Sequence, residues 1–205
     1  MTEQPDFSVK NYWERRYANG GTSGAGSYGA LAKYKAAFVN EFMNVNGVES
    51  VVDFGCGDGE QISMLSVKTY HGLDISPNAV ERCKARYDGR AGWTFQLIDE
   101  FKPKPARYDL ATSLDVVYHL IEDDVYEAYI KRLFDSSSRY VLIYGSDWEQ
   151  PGHVPHIRHR WFSGWVARKR PKWRVCARAA NPYPFDAYNS INTTFASFTA
   201  FEKAG

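Results

Sequence analysis

Apolar positions recur along the chain in two alternating rhythms. Leu31, Tyr34, Phe38, Phe42 and Val45 fall at steps of three and four and are followed by Asn46-Gly47, a stop signal, so the spacing predicts a helix over 30–45. Upstream, Ser8 as a cap and Tyr12, Trp13, Arg16 and Tyr17 at helical spacings predict a short amphipathic helix over 8–17. Between the two, residues 19–29 (NGGTSGAGSYG) offer little to bury and read as a mobile loop. From Val48 the rhythm changes. Short β-branched runs (VESVVDF, TYHGLDI, WTFQLI, YDLATSL, RYVLIYG) alternate with helical patterns (GEQISMLSV, 76–87, most of 116–134, 158–169). WRVCARA and INTTFASFTAF close the chain as strands.

Strands separated by helices imply parallel neighbours joined by right-handed crossovers with helices on both faces. This is an α/β, Rossmann-like, doubly wound sheet. With 205 residues, 44% of them apolar and 24% charged, a single domain over 1–205 is expected. It divides into N-terminal helices and a Gly-rich lid (1–47), a core (48–145), and a basic segment with closing strands (146–205). Lys plus Arg number 25 against 24 for Asp plus Glu, so the net charge of +1 gives no global pull toward nucleic acid or membrane. Three widely spaced cysteines, no signal-like opening and no apolar run of the roughly 20 residues a bilayer needs lead us to expect a soluble, cytoplasmic protein. The oligomeric state stays open.

The strongest local signal is VVDFGCGDG, 51–59, where an apolar strand runs into three alternate glycines and a helical pattern. In an open α/β sheet this marks the ligand crevice, and a helix N-terminus there suits an anion. The nicotinamide fingerprint needs Gly or Ala where Glu60 stands, and Asp53, Asp58 and Glu60 together repel a pyrophosphate. A ligand with ammonium and sulfonium centres is not repelled, which points to S-adenosylmethionine. Asp74, ending the second strand seventeen residues after Gly57, is placed to accept hydrogen bonds from ribose hydroxyls. Asp99 ends the third strand, and a fourth delivers SLDVVYHL to the same edge.

Through VVDFGCGDG, GLDIS, LID and YDLATSLDVVYHL, residues 48–144 resemble the class I S-adenosylmethionine-dependent methyltransferases. NYWERRY, the Gly-Ser loop, SLDVVYHLIEDD and HIRHRWFSGWV further resemble small bacterial members associated with glycan or secondary-metabolite pathways. The resemblance implies a seven-stranded sheet with the last strand antiparallel, S-adenosylmethionine as cofactor and S-adenosylhomocysteine as product. It implies Asp53, Gly55 and Gly57 around the methionine moiety, Asp74 on the ribose and Asp99 on the adenine. Cys56, Ile75, Glu100, Leu114, Tyr12 and Tyr28 complete the expected cofactor contacts. Cys56 reads as a small turn residue rather than a catalytic thiol.

Methyl transfer is an in-line displacement, so positioning comes first and a base is needed only where the nucleophile carries a proton. His119, Asp115 and Tyr118, just past the fourth strand, are the catalytic candidates, although His119 as a packed residue and Asp115 as a helix cap are open alternatives. Residues 151–178 carry ten or more basic side chains without one Asp or Glu. His156, Arg158, His159 and Arg160 are the expected grip on an acceptor with anionic character, while 168–172 is expected to face solvent. Histidines 153, 156 and 159 invite a metal reading, but Pro155 prevents one helical face and no zinc motif is present, so no metal is expected. Asn181-Pro182-Tyr183-Pro184 resembles the motif of base-amino methyltransferases but lies far from the fourth strand, which favours an oxygen acceptor. The expectation is methylation of a small molecule, at a sugar or secondary-metabolite hydroxyl, with nucleic acid disfavoured. RNA or protein methylation, a non-enzymatic cofactor-binding subunit and a nicotinamide enzyme are the alternatives.

Overall fold

The computed structural model describes residues 8–103, 108–152 and 154–205. The chain opens with α1 (Val9–Ala18), capped by the Ser8 hydroxyl accepting from the Asn11 amide, and α2 (Gly29–Val45). There follow β1 (Ser50–Phe54), β2 (Thr69–Asp74), α3 (Pro77–Arg86), β3 (Trp93–Leu97), β4 (Tyr108–Leu114), α4 (Asp123–Asp135) and β5 (Ser137–Gly145). The two-residue strands β6 (Gln150–Pro151) and β7 (Arg158–His159) pair with each other, and α5 (Phe162–Lys169), β8 (Trp173–Ala179) and β9 (Ser197–Lys203) complete the order.

Seven strands form one sheet in the order β3-β2-β1-β4-β5-β9-β8. β1 to β5 run parallel, and β9, the last in sequence, inserts antiparallel between β5 and β8. The expected α/β sheet with its last strand antiparallel is what the chain forms. Val51, Val52 and Phe54 are all fully buried because β1 is central and covered on both faces. One apolar layer joins α2 and α3 to the sheet through Val39, Phe42, Val80, Tyr70 and Phe198. The other joins α4 and α5 to it through Phe54, Ile130, Leu133, Phe134, Phe162 and Phe201.

Four expectations need correction. The pattern GEQISMLSV forms only a 3-10 turn, Gln61–Met64. Nine residues separate Gly59 from Thr69, too few for a crossover helix plus its two turns, and the Asn40 carboxamide captures the Ser66 amide. Residues 116–134 split into a 3-10 turn, Val117–His119, and α4, with Leu120–Glu122 between them. Arg158 and His159 belong to β7, and the helix starts only at Phe162. The Gly-Ser stretch is not free. Ser23 and Tyr28 bond Asp58, and Arg82 donates to the carbonyls of Tyr17 and Gly21.

Candidate active site

The carboxyl ends of β1, β2 and β4 and the turn after β3 open into one cavity of about 310 Å³. It is roofed by Val9, Trp13 and Tyr17 of α1, Ser23 and Ser27 of the loop, and Lys35 of α2. Of the residues read from sequence, Asp53, Gly55, Cys56, Gly57, Asp74, Ile75, Asp99, Leu114, Asp115 and His119 line it.

The glycines belong to the shape of this floor. Gly57 has φ +59°, and a Cβ there would lie 2.3 Å from the Ser23 hydroxyl. At Gly55, with φ +107°, a Cβ would strike the Val116 side chain at 2.4 Å. Asp53 sits beneath the loop, its two oxygens taken by the hydroxyls of Tyr70 and Thr112, each at 2.6 Å, and burial pushes its pKa up. Asp74 accepts from the amides of Gly57 and Ser76, both at 2.9 Å, which ties β2 to the loop. Each Asp74 oxygen keeps a further lone pair, and burial raises its pKa to about 6. Asp99 is exposed and 3.3 Å from Lys10.

The charge expected to crowd the loop is largely spent. Burial acts against the Asp58 carboxylate, but donors from Ser23, Tyr28 and Glu60 outweigh it and hold its pKa down. Glu60 pairs with Arg86 at 2.8 Å. The single 3-10 turn after the loop supplies no extended helix dipole, so the expected helix N-terminus for an anionic group is not formed. The Cys56 thiol, 4.0 Å from that of Cys83, has its pKa raised by that contact and by burial and stays protonated.

At the other wall, Asp115 adopts φ +61°, a strained conformation for a residue with a side chain, held by its amide bonding the Tyr144 carbonyl. Its carboxylate takes the Tyr118 hydroxyl at 2.9 Å and the ammonium of Lys35, a lysine only 1% exposed. Tyr118 itself is buried and does not line the cavity, touching it through Asp115 and the His119 ring. The His119 ring packs edge-on against Trp13, and its Nδ1 lies 2.9 Å from the His156 carbonyl. A carbonyl only accepts, so Nδ1 carries the proton and Nε2 is left as an acceptor. Burial pushes the imidazole pKa down to about 4, leaving it neutral at pH 7.

Several expected contacts lie elsewhere. Tyr12 stacks on His156 and Tyr28 bonds Asp58; neither lines the cavity, whereas Trp13 and Tyr17 do. Glu100 is exposed outside it. None of His156, Arg158, His159 and Arg160 lines it either. Arg160 is buried against the carbonyls of Leu120 and Ile121 and pairs with Asp123, Arg158 pairs with Asp123 and Glu149, and His159 bonds the Ser146 hydroxyl. Arg158, Arg160, Arg170, Arg174 and Arg178 of the basic segment are thus matched by carboxylates from other parts of the chain. His153 lies outside the described residues. Lys35 and Gln61 were missed. Gln61 donates to the Ala32 carbonyl, while its Oε1, buried on the cavity wall, has no partner among the described residues.

A family profile described as a methyltransferase domain matches residues 51–137. The chain is 28% identical over 119 residues to the small RNA 2′-O-methyltransferase of Arabidopsis thaliana, a match spanning 47% of this chain and 12% of that protein. Among solved structures, the N-methyltransferase NodS of Bradyrhizobium japonicum WM9, in complex with S-adenosylhomocysteine, superposes with TM-score 0.72 at 14% identity, covering 97% of this chain and 100% of that one. The magnesium protoporphyrin IX methyltransferase of Synechocystis PCC 6803 gives 0.68 at 16%, covering 96% and 98%. The methyltransferase domain of bacterial CtHen1 gives 0.64 at 18%, covering 83% and 97%. At these identities the structural likenesses establish the fold.

Proposed function

We propose that the chain, which carries a methyltransferase domain over residues 51–137, is a class I S-adenosylmethionine-dependent methyltransferase that methylates a hydroxyl oxygen of a small acceptor, with His119 taking the hydroxyl proton. The observation that carries this reading is the neutral His119, its Nδ1–H committed to a backbone carbonyl, on the wall of the same cavity as the glycine loop and Asp74. S-adenosylmethionine, when bound, supplies an electrophilic methyl group on sulfur. The residues fit it. Asp74 has lone pairs for two ribose hydroxyls, the unpartnered Gln61 Oε1 suits an ammonium, and the bare backbone at Gly57 allows close approach. Cys56, Ile75 and Leu114 contribute walls, and Asp99 stands at the adenine end.

His119 need not be a strong base. A hydroxyl grows acidic as its oxygen forms a new bond to carbon, so a neutral imidazole held in place suffices. Asp115, fixed by Lys35 and Tyr118, orients the acceptor, and α1 with Trp13 excludes water. A small acceptor is favoured because the cavity is roofed and the basic side chains of β7 are occupied by Asp123 and Glu149. A second reading, a ribose hydroxyl of RNA, is favoured by the Arabidopsis relative.

Calorimetric titration tests the cofactor half of the reading. S-adenosylmethionine and S-adenosylhomocysteine should bind the wild type, NADH should not, and Asp74→Ala should weaken the first two. Binding of NADH alone would overturn the assignment. Transfer of labelled methyl to sugars, hydroxylated metabolites and short RNAs then tests the acceptor. His119→Ala should retain cofactor affinity and lose about 10²-fold or more in turnover; unchanged turnover would remove it as the base.

A further inference from the structure

A second hollow, of about 720 Å³, lies at the other end of the sheet. Trp173, which begins β8, and Lys203, which ends β9, are register partners on its wall. The next pair inward on β9 is Glu202 opposite Tyr140, near the start of β5. The cofactor cavity lies where the parallel strands end, and Arg132, which lines both hollows, stands between them.

Seven cationic side chains line this hollow against one carboxylate, Asp135, in a chain whose net charge is only +1. Part of this has a structural cause. Asp135 is shared by Lys131 at 2.7 Å and Arg170 at 3.0 Å, and Arg132 donates to the carbonyls of Ile98 and Phe101. Cations at the end of α4 also suit its dipole. Lys102 and Lys172 have no such cause, and Lys203 has only the Trp173 ring, 5.7 Å from its ammonium: the three come from a loop, a turn and a strand end, are exposed, and have no carboxylate partner among the described residues. Holding so many like charges around one concavity costs free energy through repulsion, and a multiply charged anion relieves it.

The aromatic floor limits what that anion is. Trp173 and Phe134 are 8% and 2% exposed, so no ring face is offered for stacking a base. Recognition there is of charge alone.

We propose that this hollow is a second ligand site, separate from the methyl-transfer cavity, for a ligand carrying several phosphate groups. Two sources share that chemistry, a free polyphosphate and the backbone of a polynucleotide. The proposal does not depend on the acceptor assigned above.

The test uses inorganic tripolyphosphate, followed by calorimetry, and a fluorescein-labelled single-stranded RNA, followed by anisotropy. The wild type is compared with Lys172→Glu/Lys203→Glu and with the control Lys33→Glu/Lys68→Glu, which makes the same charge change at exposed lysines elsewhere. At least one probe should bind the wild type with strong salt dependence, lose about tenfold or more in the first double variant, and change less than about twofold in the control. Lys102→Ala should weaken the same probe in the same direction, and S-adenosylmethionine affinity should be unchanged in every variant. Loss of tripolyphosphate binding identifies a free polyphosphate site and loss confined to RNA a polynucleotide track. Failure of both probes to bind below about 1 mM, or equal weakening by the two double variants, would overturn the proposal.

Discussion

Asp74, which lines the cavity, is the titratable group to which we assign the cofactor's ribose. Its pKa in the folded chain is raised by burial to about 6, from 3.8. The sign follows from which state holds the proton. Below pH 4 both folded and unfolded chains are protonated and burial of the group costs nothing. As pH rises toward 6 the unfolded chain ionises first, so stability falls by about 3 kcal/mol in all and the loss is complete above pH 6. The Asp74 carboxylate, the form we propose for holding the ribose, predominates only above pH 6. S-adenosylmethionine affinity should therefore fall about tenfold per pH unit below 6, an inflection that Asp74→Ala should abolish in titrations from pH 5 to 8. Lys35 and Asp115 make a second residue-scale prediction. Lys35→Met leaves the Asp115 carboxylate, 19% exposed, without its cation and should cost about 3 kcal/mol in urea unfolding. Lys35→Met/Asp115→Asn should recover much of that, whereas additive losses would sink the idea that the two charges are coupled. That Asp53, Gly55, Gly57, Asp74, Asp115 and His119 line one cavity was legible because each sits at or just past a strand end in a readable segment. Lys35 was not, although Ala32, Lys35, Ala36 and Val39, all buried, put it on the apolar face of α2. The basic segment misled because a count along the sequence does not see Asp123, Glu149 and Asp147, which the fold brings to it.

At the scale of elements, the segment between α1 and α2 is held by Asp58, with Arg82 on the Gly21 carbonyl as a further anchor. Asp58 receives the Ser23 amide and the Tyr28 hydroxyl, each at 2.8 Å, while the Asp58 amide donates to the Ser23 hydroxyl. These bonds fasten the cavity roof to its glycine floor. Asp58→Ala should free residues 19–29 for faster amide exchange while β1 and β4 keep their protection. It should also weaken cofactor binding by about tenfold, since each lost hydrogen bond to a charged group is worth about 1.5–3 kcal/mol and part of the loop closes again on the ligand. Exchange at 19–29 equal to wild type would show that the loop is held by other contacts. The parallel strands were readable because strands buried on both faces appear as continuous apolar runs. The pinning of the loop was not, because glycine and serine announce freedom locally while the bonds that remove it come from thirty or more residues away. The missing helix after the glycines had a signal that periodicity ignores: the nine residues between Gly59 and Thr69 are too few to hold it.

For the molecule as a whole, the cavity lies between two groups of elements joined by few covalent links. Its floor comes from β1, β2 and β4 and its roof from α1, the loop and α2. A ligand filling it touches both, so its binding energy becomes a bond between the N-terminal elements and the sheet. Linkage sets the size of the effect. At a cofactor concentration 100 times Kd the folded state gains about 2.7 kcal/mol, which for a chain of this length raises Tm by about 5–10 °C. The gain should be distributed unevenly. Exchange should slow most in α1 and residues 19–29, whose tertiary contacts are fewer than those of the sheet, and least in β4 and β5, already protected by the core. S-adenosylhomocysteine should act similarly, since it lacks only the methyl and keeps the ribose and amino-acid groups that we assign to Asp74 and the glycine loop. In Asp74→Ala both the Tm rise and the added protection should shrink together. A full Tm rise without slower exchange in α1 would mean that the ligand is held by the sheet alone and that the roof plays no part in binding.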